Sequence, residues 1–213
     1  MPQIASNGKM ITKKDIEKPR SPRGLRQFVC YRKEKVRAMA SERHAAIQRK
    51  GIYNVFIKEI IPLSIFALKA YPNTYRVEPM LGNQGYDAIV RDTHGNVIDY
   101  VELTFPGNWE AEAKDAKLVI SRGIGKGDMY PPGENVDRLY KFIQKTCEAK
   151  SKKDYSNCTL VIVLDFTQPS KQHRRLYLQK IRKVLAQLQS ISFKSKRVFL
   201  LILPFRKVLK VYG

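Results

Sequence analysis

The sequence predicts an α/β protein with a mixed central β-sheet flanked by helices. Residues 158–166 read Cys-Thr-Leu-Val-Ile-Val-Leu-Asp-Phe, a nearly continuous apolar run of the kind found in a strand buried on both faces. An amphipathic segment over residues 174–189 and a second apolar run over 197–203 follow it, and strand, helix, strand in that order implies a parallel pair. Upstream, residues 75–105 hold three short strand-like segments separated by turn residues.

Taken in order, residues 1–33 read as a basic, flexible arm. Its first 25 residues are polar, are broken by Pro19, Pro22 and Gly24, and show no periodicity. A single domain spans residues 34–213, opening on a helical extension. Good helix formers occupy 34–49, and Gly51 separates them from a helix that starts near Ile52. In that helix Val55, Phe56, Ile60 and Leu63 recur at helical spacing, Pro62 predicts a kink, and Tyr71-Pro72-Asn73 ends it. Strands are expected over 75–80, 86–91 and 97–105, the last two joined as a hairpin through Thr93-His94-Gly95-Asn96. Asn108 caps a helix whose inward stripe is Trp109, Ala113, Ala116 and Ile120. A Gly/Pro-rich loop over 122–133 leads to a helix over 136–149. Leu178, Ile181, Leu185 and Leu188 form the inward stripe of the 174–189 helix, and residues 205–212 add an edge strand.

Charge narrows the function. Forty lysines and arginines stand against 19 acidic residues, a net +21 that repels itself unless a polyanion is near. No run approaches the roughly 18 apolar residues of a spanning helix, and the start lacks the apolar stretch of a signal peptide, so nucleic acid is expected rather than a membrane. Three cysteines at spacings of neither a zinc site nor a disulfide framework point to a reducing compartment, cytoplasm or nucleus. His44, His94 and His173 are scattered and carry no chemical signal.

Beyond Phe166 there is no acidic residue. Arg174, Arg175, Lys180, Arg182, Lys183, Lys194, Lys196 and Arg197 lie in that segment and are expected to form a nucleic-acid face. Lys126 sits in Arg-Gly-Ile-Gly-Lys-Gly, a stretch that either wraps a phosphate with its amides or borders the cleft as a flexible loop.

Two carboxylates stand out by position. Asp87 follows a glycine-rich turn at the start of the second strand, and Glu102 lies near the end of the third. Strand alternation puts Glu102 and Thr104 on one face and Asp99 on the other, toward solvent or a helix. Side by side at one end of a sheet, two acids with the Leu103 carbonyl and waters offer what magnesium or manganese accepts. Such an ion would activate water and stabilise charge at phosphorus.

A helix, three strands, a helix, a strand, a helix and a strand, with Asp87 on the second strand and Glu102-Leu103-Thr104 on the third, resembles the restriction-endonuclease-like core of the PD-(D/E)xK nuclease superfamily. The resemblance covers residues 52–203. It implies a magnesium-dependent endonuclease acting on DNA rather than RNA, in a fold whose nucleases often work as homodimers. Asp87 and Glu102 would be the ligands, with Leu103 between the motif positions and Glu59 as the accessory acid of the first helix. The sequence departs from the pattern at Gly85-Tyr86-Asp87, where the family has Pro-Asp, and at Thr104, where it has lysine. A hydroxyl cannot supply the positive charge of that lysine. Lys114 or Lys117 on the next helix would then carry the relocated charge. The other readings are a binder of DNA or RNA that keeps the scaffold without the chemistry or is an unrelated basic α/β protein, and an assembly subunit of a larger nucleoprotein complex.

Overall fold

The computed structural model describes residues 11–82, 84–107, 134–166 and 169–213. The expected helix and loop over 108–133 lie outside these residues, and Lys114, Lys117 and Lys126 with them.

From Ile11 onward the expected mobile arm is folded. Thr12 and Asp15 make a reciprocal capping box at the head of α1 (Lys13–Glu17), and Ser21 caps α2 (Pro22–Ala38), which has proline in its first turn. Pro22 therefore starts a helix, its missing N–H being one that no helix uses. Ile11, Ile16, Leu25 and Val29 are fully buried, and the Arg20 amide and carbonyl pair with Val77 at 3.0 and 2.7 Å.

The helix expected over 34–49 is divided between the end of α2 and α3 (Ala40–Ile47), with extended backbone at Met39. Next come α4 (Ile52–Val55), a π-helical turn (Phe56–Ile60) and α5 (Ile61–Ala70). Pro62 has no N–H to donate four residues back, and the Ile61 amide reaches five residues back to the Phe56 carbonyl. The expected kink takes the form of this wider turn.

Among the described residues, six strands form one mixed sheet in chain order: β1 (Arg76–Pro79), β2 (Ala88–Arg91), β3 (Val97–Thr104), β4 (Tyr155–Leu164), β5 (Ser195–Ile202) and β6 (Lys207–Tyr212). Strands β1, β2 and β3 are antiparallel neighbours, β3, β4 and β5 are parallel, and β6 returns antiparallel. Asp92 organises the β2–β3 turn by accepting from the amides of His94 and Asn96, and Gly95 takes the positive φ of 87°.

Helices cover both faces. On β4, Val161 and Val163 pack with α2 and α5, whereas Leu160, Ile162 and Leu164 pack against α6 (Glu134–Ser151) and α7 (Arg174–Gln189). This alternation is why β4 reads as unbroken apolar sequence. No single helix among the described residues is long and apolar enough to cross a membrane.

Candidate active site

Asp87 stands just before β2, where its amide donates to the Val101 carbonyl at 2.8 Å. Pairing of β2 with β3 begins at Ala88 and Val101, so β3 runs on past the end of its neighbour. There the Leu103 amide, left without a partner in β2, donates to Asp87 Oδ2 at 2.7 Å. Alternation sends the Leu103 carbonyl to the same edge as its amide. Asp87, Glu102 and Leu103 thus meet at one corner of the sheet.

Burial raises the Asp87 pKa to about 7, and the neighbouring charges of Glu102 and Glu59 add to the rise against the pull of the Leu103 amide. Glu59, in the π-helical turn, is also raised, first by burial and then by Glu102. Three carboxylates are therefore near enough to resist one another's ionisation.

The positive charge comes from α6. Lys150 Nζ donates to Glu102 Oε1 at 2.6 Å and to the Tyr155 hydroxyl at 3.1 Å. Burial works against the ammonium, but these two bonds outweigh it and hold its pKa above the ordinary lysine value. Lys150 was not among the residues singled out in the sequence, although a signal was there. It continues the buried stripe of Ile143 and Cys147 at helical spacing, and a lysine on an apolar stripe needs an acidic partner. Thr104 shares the face of Glu102 but is only 4 % exposed, and its hydroxyl meets no partner among the described residues.

Among the described residues, no group of three or more histidine, cysteine or carboxylate side chains is placed to hold one ion. The donors on offer are Asp87, Glu102 and the Leu103 carbonyl. One oxygen of each carboxylate is engaged by Leu103 or Lys150. Two carboxylates whose surplus charge is only partly offset suit magnesium or manganese, which keep several waters of their own. A groove of about 470 Å³ is lined by Tyr86, Tyr100 and Tyr155, the last being the tyrosine whose hydroxyl Lys150 contacts.

Asp99 is not solvent-facing. It is 2 % exposed and accepts from Tyr71 at 2.6 Å, from Thr159 at 2.7 Å and from Arg197. The basic carboxy-terminal segment accordingly divides. Arg197 is held by Asp99, Lys196 donates to the Ile98 carbonyl and Lys180 pairs with Asp137. Arg174, Arg175, Arg182, Lys183 and Lys194 are exposed.

No family model, curated protein or solved structure matches the chain.

Proposed function

We propose that the chain is a metal-dependent endonuclease that hydrolyses phosphodiester bonds in DNA, built on a restriction-endonuclease-like core whose motif lysine has moved from β3 to α6. The observation that carries this reading is the meeting of Lys150 with Glu102 beside Asp87, at the corner where β3 outruns β2. Further support is the element order: a helix, three antiparallel strands, and a fourth strand parallel to the third.

In this reading Asp87 and Glu102 present their remaining oxygens to magnesium or manganese, with the Leu103 carbonyl beside them. The ion, when bound, supplies an activated water and charge stabilisation at phosphorus. Lys150 orients Glu102 through Oε1 and offsets the charge that builds up on the phosphoryl oxygens. Glu59, whose pKa is raised by burial and then by Glu102, is a stronger base than an ordinary glutamate and is placed to take up a proton at the edge of the site.

The test is cleavage of plasmid, linear duplex, single-stranded DNA and RNA with magnesium or manganese against chelator. Wild type is compared with Asp87→Ala, Glu102→Ala and Lys150→Met. Metal-dependent cutting lost in all three variants is expected. Tight, salt-sensitive binding with no cutting by the wild type would sink the reading and leave a nucleic-acid binder on the same scaffold, the role that Thr104 favours.

A further inference from the structure

Three strands across the sheet from β3, a groove of about 580 Å³ borders the edge strand β6. Five cations line it: Lys69 at the end of α5, Arg174 at the start of α7, Arg206 in the β5–β6 turn, and Lys207 and Lys210 on β6. Among the described residues, no carboxylate lines it. All five are exposed, and none makes an ion pair among the described residues, unlike Lys180, Lys196 and Arg197. The crowding extends beyond the groove, because Arg206 together with Arg26 and Arg37 lowers the pKa of Lys33 on α2, where burial is the larger cause.

Between the cations the groove is apolar, with Phe199 and Phe205 half-buried in its wall. The Arg174 guanidinium stands 5.7 Å from the Phe205 ring centroid. A ligand that satisfies both features carries several negative charges on one edge and flat apolar faces on the other. A single nucleic-acid strand has both, whereas a duplex keeps its base faces stacked inside.

The geometry points to a single-strand binding groove along β6, with the phosphates on Lys69, Arg174, Arg206, Lys207 and Lys210 and a base against the phenylalanines. Lys69, near the end of α5, lies ten residues on from Glu59 in the π-helical turn that leads into it, roughly 15 Å at about 1.5 Å per residue. The groove would thus hold the substrate at a distance from the acid cluster, and this placement rests on the nuclease reading. It implies a substrate with an unpaired segment, such as a single strand or a duplex with a tail.

The experiment is binding of a fluorescent oligothymidine, an abasic oligomer of the same length and a blunt duplex hairpin, all in chelator so that no cutting intervenes. Wild type is compared with the triple variant Lys69→Ala, Lys207→Ala, Lys210→Ala, with thermal melting as the check that the variant folds. Wild type should prefer oligothymidine to both other ligands. The variant should bind oligothymidine at least about tenfold more weakly, with a salt slope shallower by about 2, since each single-strand phosphate contact contributes about 0.7. An unchanged affinity in the folded variant would overturn the groove, and equal binding of the abasic oligomer or the hairpin would overturn the base contact. A protein that binds as expected but never cuts would remove the nuclease reading and leave the groove standing.

Discussion

Lys150 Nζ lies 2.6 Å from Glu102 Oε1 although the two residues are 48 positions apart in the chain. The last turn of α6 thus carries an ammonium to the strand end where Thr104, the residue after Leu103, has no charge to give. If that ammonium does chemical work, Lys150→Met should lower metal-dependent cleavage by about 100-fold or more. Oligonucleotide binding in chelator should be unchanged, and Lys150→Arg should retain more activity than Lys150→Met. A Lys150→Met enzyme cutting at the wild-type rate would reduce the pair to a packing contact.

Asp87 supplies a pH test. Its pKa is 3.8 ordinarily and about 7 in the folded chain, so between those values the native state holds a proton that the unfolded state has lost. Stability from this group is therefore complete below pH 3.8 and is lost as pH rises through 7. Between pH 3.8 and about 7, at about 1.4 kcal/mol per pH unit, the loss is on the order of 4 kcal/mol. Asp87→Asn cannot ionise. In chelator it should be more stable than wild type at pH 8, with the difference shrinking toward pH 4. Urea unfolding at four pH values reads this, and parallel curves would refute it. Magnesium should raise the melting temperature of the wild type and leave that of Asp87→Asn in place.

Thr104 tests whether the motif position still acts. Its hydroxyl is buried without a partner among the described residues, and an orphaned polar group costs about 1–3 kcal/mol. Thr104→Val keeps the shape and removes the hydroxyl, so it should raise stability by about 1 kcal/mol and leave cleavage untouched. Loss of cleavage in a stable Thr104→Val protein would return a chemical role to the hydroxyl.

The Asp99 cluster is expected to act on stability and not on the reaction. Burial and the adjacent Asp99 push the Tyr71 hydroxyl well above its ordinary pKa, so it remains a donor throughout the working range. Tyr71→Phe removes one bond to a buried carboxylate and should cost about 2 kcal/mol in urea unfolding. Asp99→Ala strands Arg197 and should cost on the order of 3 kcal/mol. Each should cleave at the wild-type rate when assayed well below its melting temperature.

The parts of this protein legible in its sequence are those set by local periodicity and turn chemistry. The β4 run, the α7 helix and the β5 run appear where their spacing puts them, because burial on both faces or on one stripe leaves a direct trace in residue order, although Tyr177 and Val184, not Leu178 and Leu185, complete the buried stripe of α7 with Ile181 and Leu188. Gly95, in the expected turn Thr93-His94-Gly95-Asn96, marks the β2–β3 connection in the same way, while the anchoring role of Asp92 is seen only in the fold. The neighbourhood of Asp87 and Glu102 follows from a hairpin with strand ends of known length.

Tertiary structure decided the rest, since periodicity says which side chains point inward and not what they meet. Ile11, Ile16, Leu25 and Val29 are too thinly spread among charges to announce a core, and they become one only when α5 and β1 close over them. Lys150 has meaning only once α6 packs its last turn against Glu102. The uniform positive charge after Phe166 is likewise divided by contacts that sequence order does not encode. Arg197 goes to Asp99, 98 positions away, while Lys207 and Lys210 stay on the open edge of β6. Charge is local to a residue, but whether it is neutralised inside the fold or left for a partner depends on which distant groups the packed helices and strands bring within reach.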